Sequence, residues 1–283
     1  MISRREQNAE IFKDTERRYQ ENETLKAAIK HSIKKQKLIM ADEEVVIGTE
    51  KEKTGQVIVS GKRTLEASES YAKQGKKVCI HNFASATNPG GGVTRGSSAQ
   101  EEAICRCSTL YPCLNTKAMW DGFYGPHRAA GNSLYNDDCI FTPSVKVFKS
   151  DTDIPKLLQE TDWWDVDVIT CAAPNLRNVP SNQMNPSAGR EKTNVTNKEL
   201  KELLASRIEK IFHVAIANGA EILILGAFGC GAFCNPPRIV AEVFAGCTEK
   251  YCHYFDVIEF AVYHTEREKE NYVAFNSVMH RFK

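Results

Sequence analysis

Two adjacent carboxylates, Glu101 and Glu102, follow closely on three successive glycines, Gly90, Gly91 and Gly92. A carboxylic acid kept protonated in a partly apolar cleft can give its proton to a leaving oxygen and then take one from water. That is the work required to break a glycosidic bond. The glycines adopt backbone angles closed to other residues and let a ligand touch the main chain, at an entropic cost that a mere connector does not require. Together they point to a site that handles a phosphate-bearing sugar. Neighbouring carboxylates on one helix turn do not resemble the opposed pair of ordinary glycosidases, so one glutamate would serve as both acid and base while the other grips a sugar hydroxyl. Glu101 also has a structural reading, because Ser98-Ala99-Gln100-Glu101 matches a capping box. Glu102 has no such alternative. If Glu101 reaches back to its cap, Glu102, turned about 100° further round the helix, faces another way and can enter the cleft.

A second glycine-rich stretch, Gly226-Ala227-Phe228-Gly229-Cys230-Gly231-Ala232-Phe233, follows an apolar strand and precedes a helix opened by Pro236-Pro237. Its main-chain N–H groups could wrap a diphosphate without a lysine. The Gly-Lys-Ser/Thr ending of a Walker loop is absent, and a plain strand-to-helix turn is the competing reading.

The elements that must hold these loops are legible in the hydrophobic pattern. Arg4 to Lys37 is polar, free of Pro and Gly, and carries Ile11, Phe12, Tyr19, Leu25, Ile29 and Ile33 at helical spacing, which predicts an amphipathic helical segment lying on the main body. The lysines at its end, Lys34, Lys35 and Lys37, suit a solvated helix terminus. Strands are predicted over 44–48, 56–60, 77–83, 139–143, 145–148, 165–174, 221–226 and 255–263, and helices over 64–74, 100–110, 197–218 (capped by Asn197) and from Pro236 to about Lys250. Residues 120–138 and the Asn/Ser-rich stretch 175–194 read as irregular. This alternation is that of an α/β domain, a mixed sheet covered by helices on both faces, with the glycines at strand-to-helix crossovers where such folds bind ligands. We divide the chain into an N-terminal helical accessory segment, 1–45, and a catalytic domain, 46–283.

Lys+Arg 37 against Asp+Glu 36 leaves a net charge of +1, so no global field draws the chain to nucleic acid or an anionic membrane, and an anionic ligand must be recognised locally. No apolar run suits a bilayer span and the first residues lack a secretory core, so an intracellular, cytoplasmic protein is expected. The 10 cysteines sit mostly within apolar strand and helix patterns and read as free, buried thiols. Cys230, Cys234, Cys247 and Cys252-His253 lack zinc-site spacing, so no metal is expected. His31, His81, His127, His213, His253, His264 and His280 show no ligand spacing either and read as core or surface residues. Trp120, Trp163 and Trp164 are placed in the core.

Asn82 to Gly92, then Ala99-Gln100-Glu101-Glu102, Cys105-Arg106 and Ser108 to Tyr111, resemble the signature of the microbial-type poly(ADP-ribose) glycohydrolases. Phe141-Thr142-Pro143, Val147-Phe148, Ala172 to Asn175 and Gly226 to Phe233 follow in the same order. The resemblance covers roughly Gly55 to the C-terminus, and the N-terminal helical segment is similar to an extension found in that family. It implies a macrodomain-like fold and hydrolysis of the ribose–ribose bond of poly(ADP-ribose), releasing ADP-ribose without metal or organic cofactor. Residue by residue, it implies that Glu102 is the acid/base and that Glu101 holds the distal ribose, which Asn88, Gly90, Gly91 and Gly92 border. Gln100 fixes the loop; Gly229, Cys230, Gly231 and Ala232 carry the diphosphate; Phe233 lies against the ribose. Nothing transfers to Thr94 to Ser98, the variable part of the signature. Two alternatives stay open at this point: removal of a single ADP-ribose from an adduct, and a macrodomain-like reader that binds without cleaving. The carboxylate pair, which a reader does not need, argues against the latter. The expected partners are the polymer or an ADP-ribosylated macromolecule as substrate and ADP-ribose as product, with no membrane and no sequence-specific nucleic-acid contact.

Overall fold

The computed structural model describes residues 3–49, 54–183 and 185–282. Helix α1 (Arg4–Glu21) starts in a reciprocal cap between Ser3 and Glu6 and ends at Asn22, whose side chain in turn caps α2 (Glu23–Lys35). The chain then alternates through β1 (Lys37–Ile39), β2 (Gln56–Ser60), α3 (Thr64–Lys73), β3 (Val78–Phe83), α4 (Gln100–Cys107), α5 (Leu110–Leu114), α6 (Lys117–Met119), α7 (Gly125–Ala130), β4 (Cys139–Val147), β5 (Trp164–Cys171), α8 (Asn197–Ala217), β6 (Ile222–Leu225), α9 (Pro237–Tyr251), β7 (Val257–Ala261) and α10 (Glu270–Met279).

One seven-stranded sheet runs in the order β1-β4-β5-β3-β6-β7-β2. The β1–β4 and β4–β5 pairs are antiparallel; the other four are parallel. Central strands buried on both faces explain the continuous apolar runs Val78-Cys79-Ile80 and Ile222 to Leu225. One face packs on α8, α9 and α10 through Leu204, Ile208, Phe212, Phe244 and Phe275; the other packs on α3, α4 and α5 through Leu65, Ile104 and Leu110. This is the helix-covered mixed sheet expected from the pattern. Among the described residues, no helix is long and apolar enough to cross a membrane.

Helix α1 contributes to the second of these cores. Phe12 is buried there with its ring edge-on to Tyr111, a burial that stabilises by about 1.5–3 kcal/mol. A buried cation fixes the register. Lys149 donates to the Ile11 carbonyl (3.0 Å), Thr15 Oγ1 (2.7 Å) and Asp14 (2.9 Å), so none of its charge is left uncompensated. Burial opposes ionisation of Asp14, yet Lys149, Arg18 and Arg17 together hold its carboxyl well below the usual carboxylate range. Thr15 Oγ1 also donates to the Arg106 carbonyl at 2.6 Å, tying α1 to α4, the helix of the paired glutamates.

Several boundaries differ from the sequence reading. The strand expected over 44–48 does not form; 37–39 takes that part instead, because Lys37, Leu38 and Ile39 find Phe141, Ile140 and Cys139 across the sheet edge while Val46 remains 82% exposed. The helix expected over 100–110 stops at Cys107, where Ser108 turns extended and bridges to Val147. Residues 120–130 are helical, a wide turn over Trp120–Tyr124 leading into α7, which ends at left-handed Gly131. Thr196, not Asn197, caps α8, accepting from Glu199 N while Glu199 answers to Thr196 N. Trp164 is buried as expected, but Trp120 and Trp163 are only half-buried.

Candidate active site

The first turn of α4 is built against the end of β3. Gln100 Oε1 accepts from Phe83 N (2.8 Å), and its Nε2 donates to the His81 carbonyl (2.7 Å) and to Thr64 Oγ1 (3.0 Å), so one side chain fixes α4, β3 and α3 together. The capping box does not form. Ala99 occupies the cap position with no side-chain bond, because Glu101 is drawn to the chain leaving β3 instead: Glu101 Oε2 accepts from Ser85 N (2.8 Å) and Oε1 from Asn82 Nδ2 (3.3 Å). Glu102 Oε1 accepts from Gly92 N at 2.8 Å, and its Oε2 is buried without a hydrogen-bond partner among the described residues.

Nor do the two carboxylates diverge; both converge on Gly91. A Cβ at Gly91 would lie 2.5 Å from Glu102 Oε1 and 3.0 Å from Glu101 Oε2. Gly90 and Gly91 have φ of +64° and +58°, and a Cβ at Gly90 would strike the Tyr111 ring at 2.8 Å, so both positions exclude side chains on two counts. Asn88 closes this turn: its carbonyl accepts from Gly91 N (2.9 Å) and its Nδ2 donates to the Gly91 carbonyl. Gly91 faces the cavity, while Asn88, Gly90 and Gly92 shape the turn behind it.

Both glutamates are buried, 3% and 6% exposed. Burial pushes the Glu101 carboxyl well above the usual carboxylate range, and the neighbouring charge of Glu102 adds to it; burial likewise raises Glu102, against the opposing hydrogen bond from Gly92 N. A buried carboxyl shifted toward its acid form, with one oxygen pinned and the other unengaged, suits a general acid.

The second glycine-rich stretch joins β6 to α9. Among the described residues, the N–H groups of Gly229, Gly231, Ala232 and Phe233 have no intramolecular acceptor, and all four residues line a cavity of about 280 Å³ that also carries Phe83, Gln100 and Tyr263. Such a row of unpaired amides suits an anion. Gly229, at φ +71°, has room for no side chain, since a Cβ would meet Ala173 and Asn235 at 2.5 Å. Cys230 lines neither this cavity nor that of the glutamates; its N–H is bonded to the Ala227 carbonyl, and burial pushes its thiol up to about 12. Of the ten cysteines, none in a disulfide, eight are buried and Cys234 alone is exposed. A larger cavity, about 750 Å³, holds Glu101, Glu102, Gly91 and Ser85. The two share Phe83, Ser98, Ala99, Ala232 and Phe233, so the amide row and the carboxylates face one continuous cleft with Phe233 at the junction.

Sequence reasoning missed the polar support of this cleft. Asn185 Oδ1 accepts from Ser85 Oγ (2.6 Å) and Thr87 Oγ1 (2.8 Å), and its Nδ2 donates to Tyr135 Oη (3.0 Å), all buried. Ser85 Oγ also accepts from Asn88 N, so Asn185 braces the chain between β3 and the glycines. The one available signal was the length of the Asn-rich stretch 175–194, longer than a simple connector. Asn185→Ala leaves three buried hydroxyls, those of Ser85, Thr87 and Tyr135, short of a partner and lowers stability by about 1–3 kcal/mol; urea denaturation with an unchanged slope and an earlier midpoint is the expected result, and an unmoved midpoint would contradict it.

The family model for the microbial-type PARG catalytic domain matches residues 6–150, just over half of the chain. The chain belongs to that family. Its fold is similar to the crystal structure of the poly(ADP-ribose) glycohydrolase of Thermomonospora curvata bound to the inhibitor ADP-HPD, with a TM-score of 0.81 and 28% identity over 96% of this chain and 99% of the other. It is also similar to the glycohydrolase of Deinococcus radiodurans in complex with ADP-ribose, with a TM-score of 0.75 and 27% identity over 89% and 97% of the two chains. No curated protein matches. Family membership makes this chain a poly(ADP-ribose) glycohydrolase, a glycosidase of macrodomain-like fold.

Proposed function

We propose that the enzyme cleaves the ribose–ribose bond of poly(ADP-ribose) with Glu102 as a single acid/base and releases ADP-ribose from the chain. The observation that carries this is buried Glu102, one oxygen held by Gly92 N and the other unengaged, lining a cleft whose other end is a row of unpaired amides. The relatives from T. curvata and D. radiodurans were determined with an ADP-ribose analogue and with ADP-ribose, which supports the same ligand here.

In this reading the amides of Gly229, Gly231, Ala232 and Phe233 hold the diphosphate, and the Phe233 ring lies against the terminal ribose. Gly91 borders that ribose from the turn that Asn88, Gly90 and Gly92 shape, and Glu101, anchored by Ser85 and Asn82, takes one of its hydroxyls. Protonated Glu102 gives its proton to the leaving ribose oxygen as the anomeric C–O bond breaks and the sugar gains oxocarbenium character. The resulting carboxylate removes a proton from water as the water oxygen bonds to the anomeric carbon, which restores the acid. Gly92 N–H remains on Oε1 throughout and steadies the ionised form between the two half-reactions.

The test is incubation with labelled polymer and, separately, with singly ADP-ribosylated protein. Free ADP-ribose from the polymer is expected; release from the singly modified protein alone would turn the reading to mono-ADP-ribosyl hydrolysis, and binding without release to a reader.

A further inference from the structure

The cavity that holds the glutamates is far larger than one ribose requires, and its size falls in the range of sites that take a whole small molecule. Apart from Glu101 and Glu102, the charged residues lining it are all arginines: Arg4 and Arg5 from the start of α1, and Arg177 from the 175–194 stretch. Arg5 Nε donates to the Arg95 carbonyl at 2.9 Å, and Arg4 contacts the Asp153 carbonyl and carboxylate, so both are held at the rim by contacts across the α1 interface. The Arg177 guanidinium makes no ion pair among the described residues, although the side chain is half-buried. Three arginines thus line the cavity that also holds the two carboxylates, which burial shifts toward the neutral form.

We propose that Arg4, Arg5 and Arg177 form a subsite for the diphosphate of the ADP-ribose unit on the leaving side of the scissile bond. This rests on the reading above: with one diphosphate on the amide row and the terminal ribose at Glu102, the polymer must continue through the larger cavity, and its next charged group is another diphosphate. Guanidinium forks pair with phosphate oxygens in bidentate fashion and suit that group. The subsite makes the enzyme favour polymer over a lone ADP-ribosyl group, and it gives α1 a part in substrate selection.

The test compares poly(ADP-ribose) with ADP-ribose bearing a small uncharged aglycone on its terminal ribose. Arg177→Ala and the double variant Arg4→Ala/Arg5→Ala are expected to lower kcat/KM on polymer by on the order of tenfold at low salt, with the deficit closing as ionic strength rises. Their kcat/KM on the small-aglycone substrate and their Kd for ADP-ribose should change by less than about twofold, as should every parameter of the charge-matched surface control Lys198→Ala. Arg5→Lys, which keeps the charge, should retain most of the polymer activity. A parallel loss on both substrates in Arg177→Ala, or undiminished polymer turnover in both arginine variants, overturns the subsite. Wild-type enzyme that neither binds ADP-ribose nor cleaves the small-aglycone substrate overturns instead the site reading beneath it.

Discussion

Glu102→Gln is expected to lower kcat on poly(ADP-ribose) by on the order of 10²- to 10⁴-fold, the usual worth of a general acid/base, while the Kd for ADP-ribose stays close to wild type. Glutamine keeps the volume of the side chain and leaves an oxygen to accept from Gly92 N, so the glycine turn has no reason to move. What disappears is the transferable proton. The pH dependence follows from the raised pKa of the wild-type carboxyl. The acid form persists above the ordinary carboxylate range, so kcat of wild type should fall only as pH climbs through that raised value. Stability carries the same signature. A carboxyl that binds its proton more tightly folded than unfolded makes no differential contribution below the unfolded value of about 4.3, and from there upward the fold loses stability until the folded value is passed. Glu102→Gln lacks that loss, so denaturation midpoints of the two proteins should coincide in acid and separate toward neutrality, with the variant the more stable. A variant that hydrolyses polymer at wild-type rate would remove Glu102 from the chemistry.

Gly91→Ala should be nearly as damaging, although it changes no ionisable group. The added carbon lands 2.5 Å from Glu102 Oε1, closer than real Cβ contacts come, and at φ +58° it also strains the backbone by about 1–2 kcal/mol. Moving either carboxylate aside costs a hydrogen bond, since Glu101 is bonded to Ser85 N and Glu102 to Gly92 N. One of these bonds must break or the turn must open. Misplacement by about an ångström costs on the order of 10²-fold in rate, and here it falls on both residues at once. Steady-state turnover and ADP-ribose affinity measured together would separate the effects; turnover above half of wild type would mean that the turn relaxes without disturbing the pair.

The fold was legible where burial is two-sided. The runs at 78–80 and 222–225 are apolar without interruption because helices cover both faces of the sheet, and Leu204, Ile208 and Phe212 recur at a spacing that admits only a helix packed on one side. Strand β1 was illegible because Lys37-Leu38-Ile39 owes its conformation to Phe141 and its neighbours, about a hundred residues away, whereas Val45-Val46-Ile47 has the better local propensity and no strand partner among the described residues. The glutamates and glycines could be found since their chemistry is written in residue type and close spacing. Ser85 and Asn82 could not be given their part, because the capping box offered Glu101 a nearer partner, and only the approach of α4 to the end of β3 decides between them. Arg4, Arg5 and Arg177 reach one cavity from opposite parts of the chain, and no pattern within either segment marks them.

The distribution of thiols has a practical use. Cys234 follows directly on Phe233, at the junction of the two cavities, and is the one exposed cysteine among ten. Mild alkylation of the unaltered enzyme therefore directs a fluorophore to that position, and its emission would follow the filling of the cleft in real time without any engineered residue.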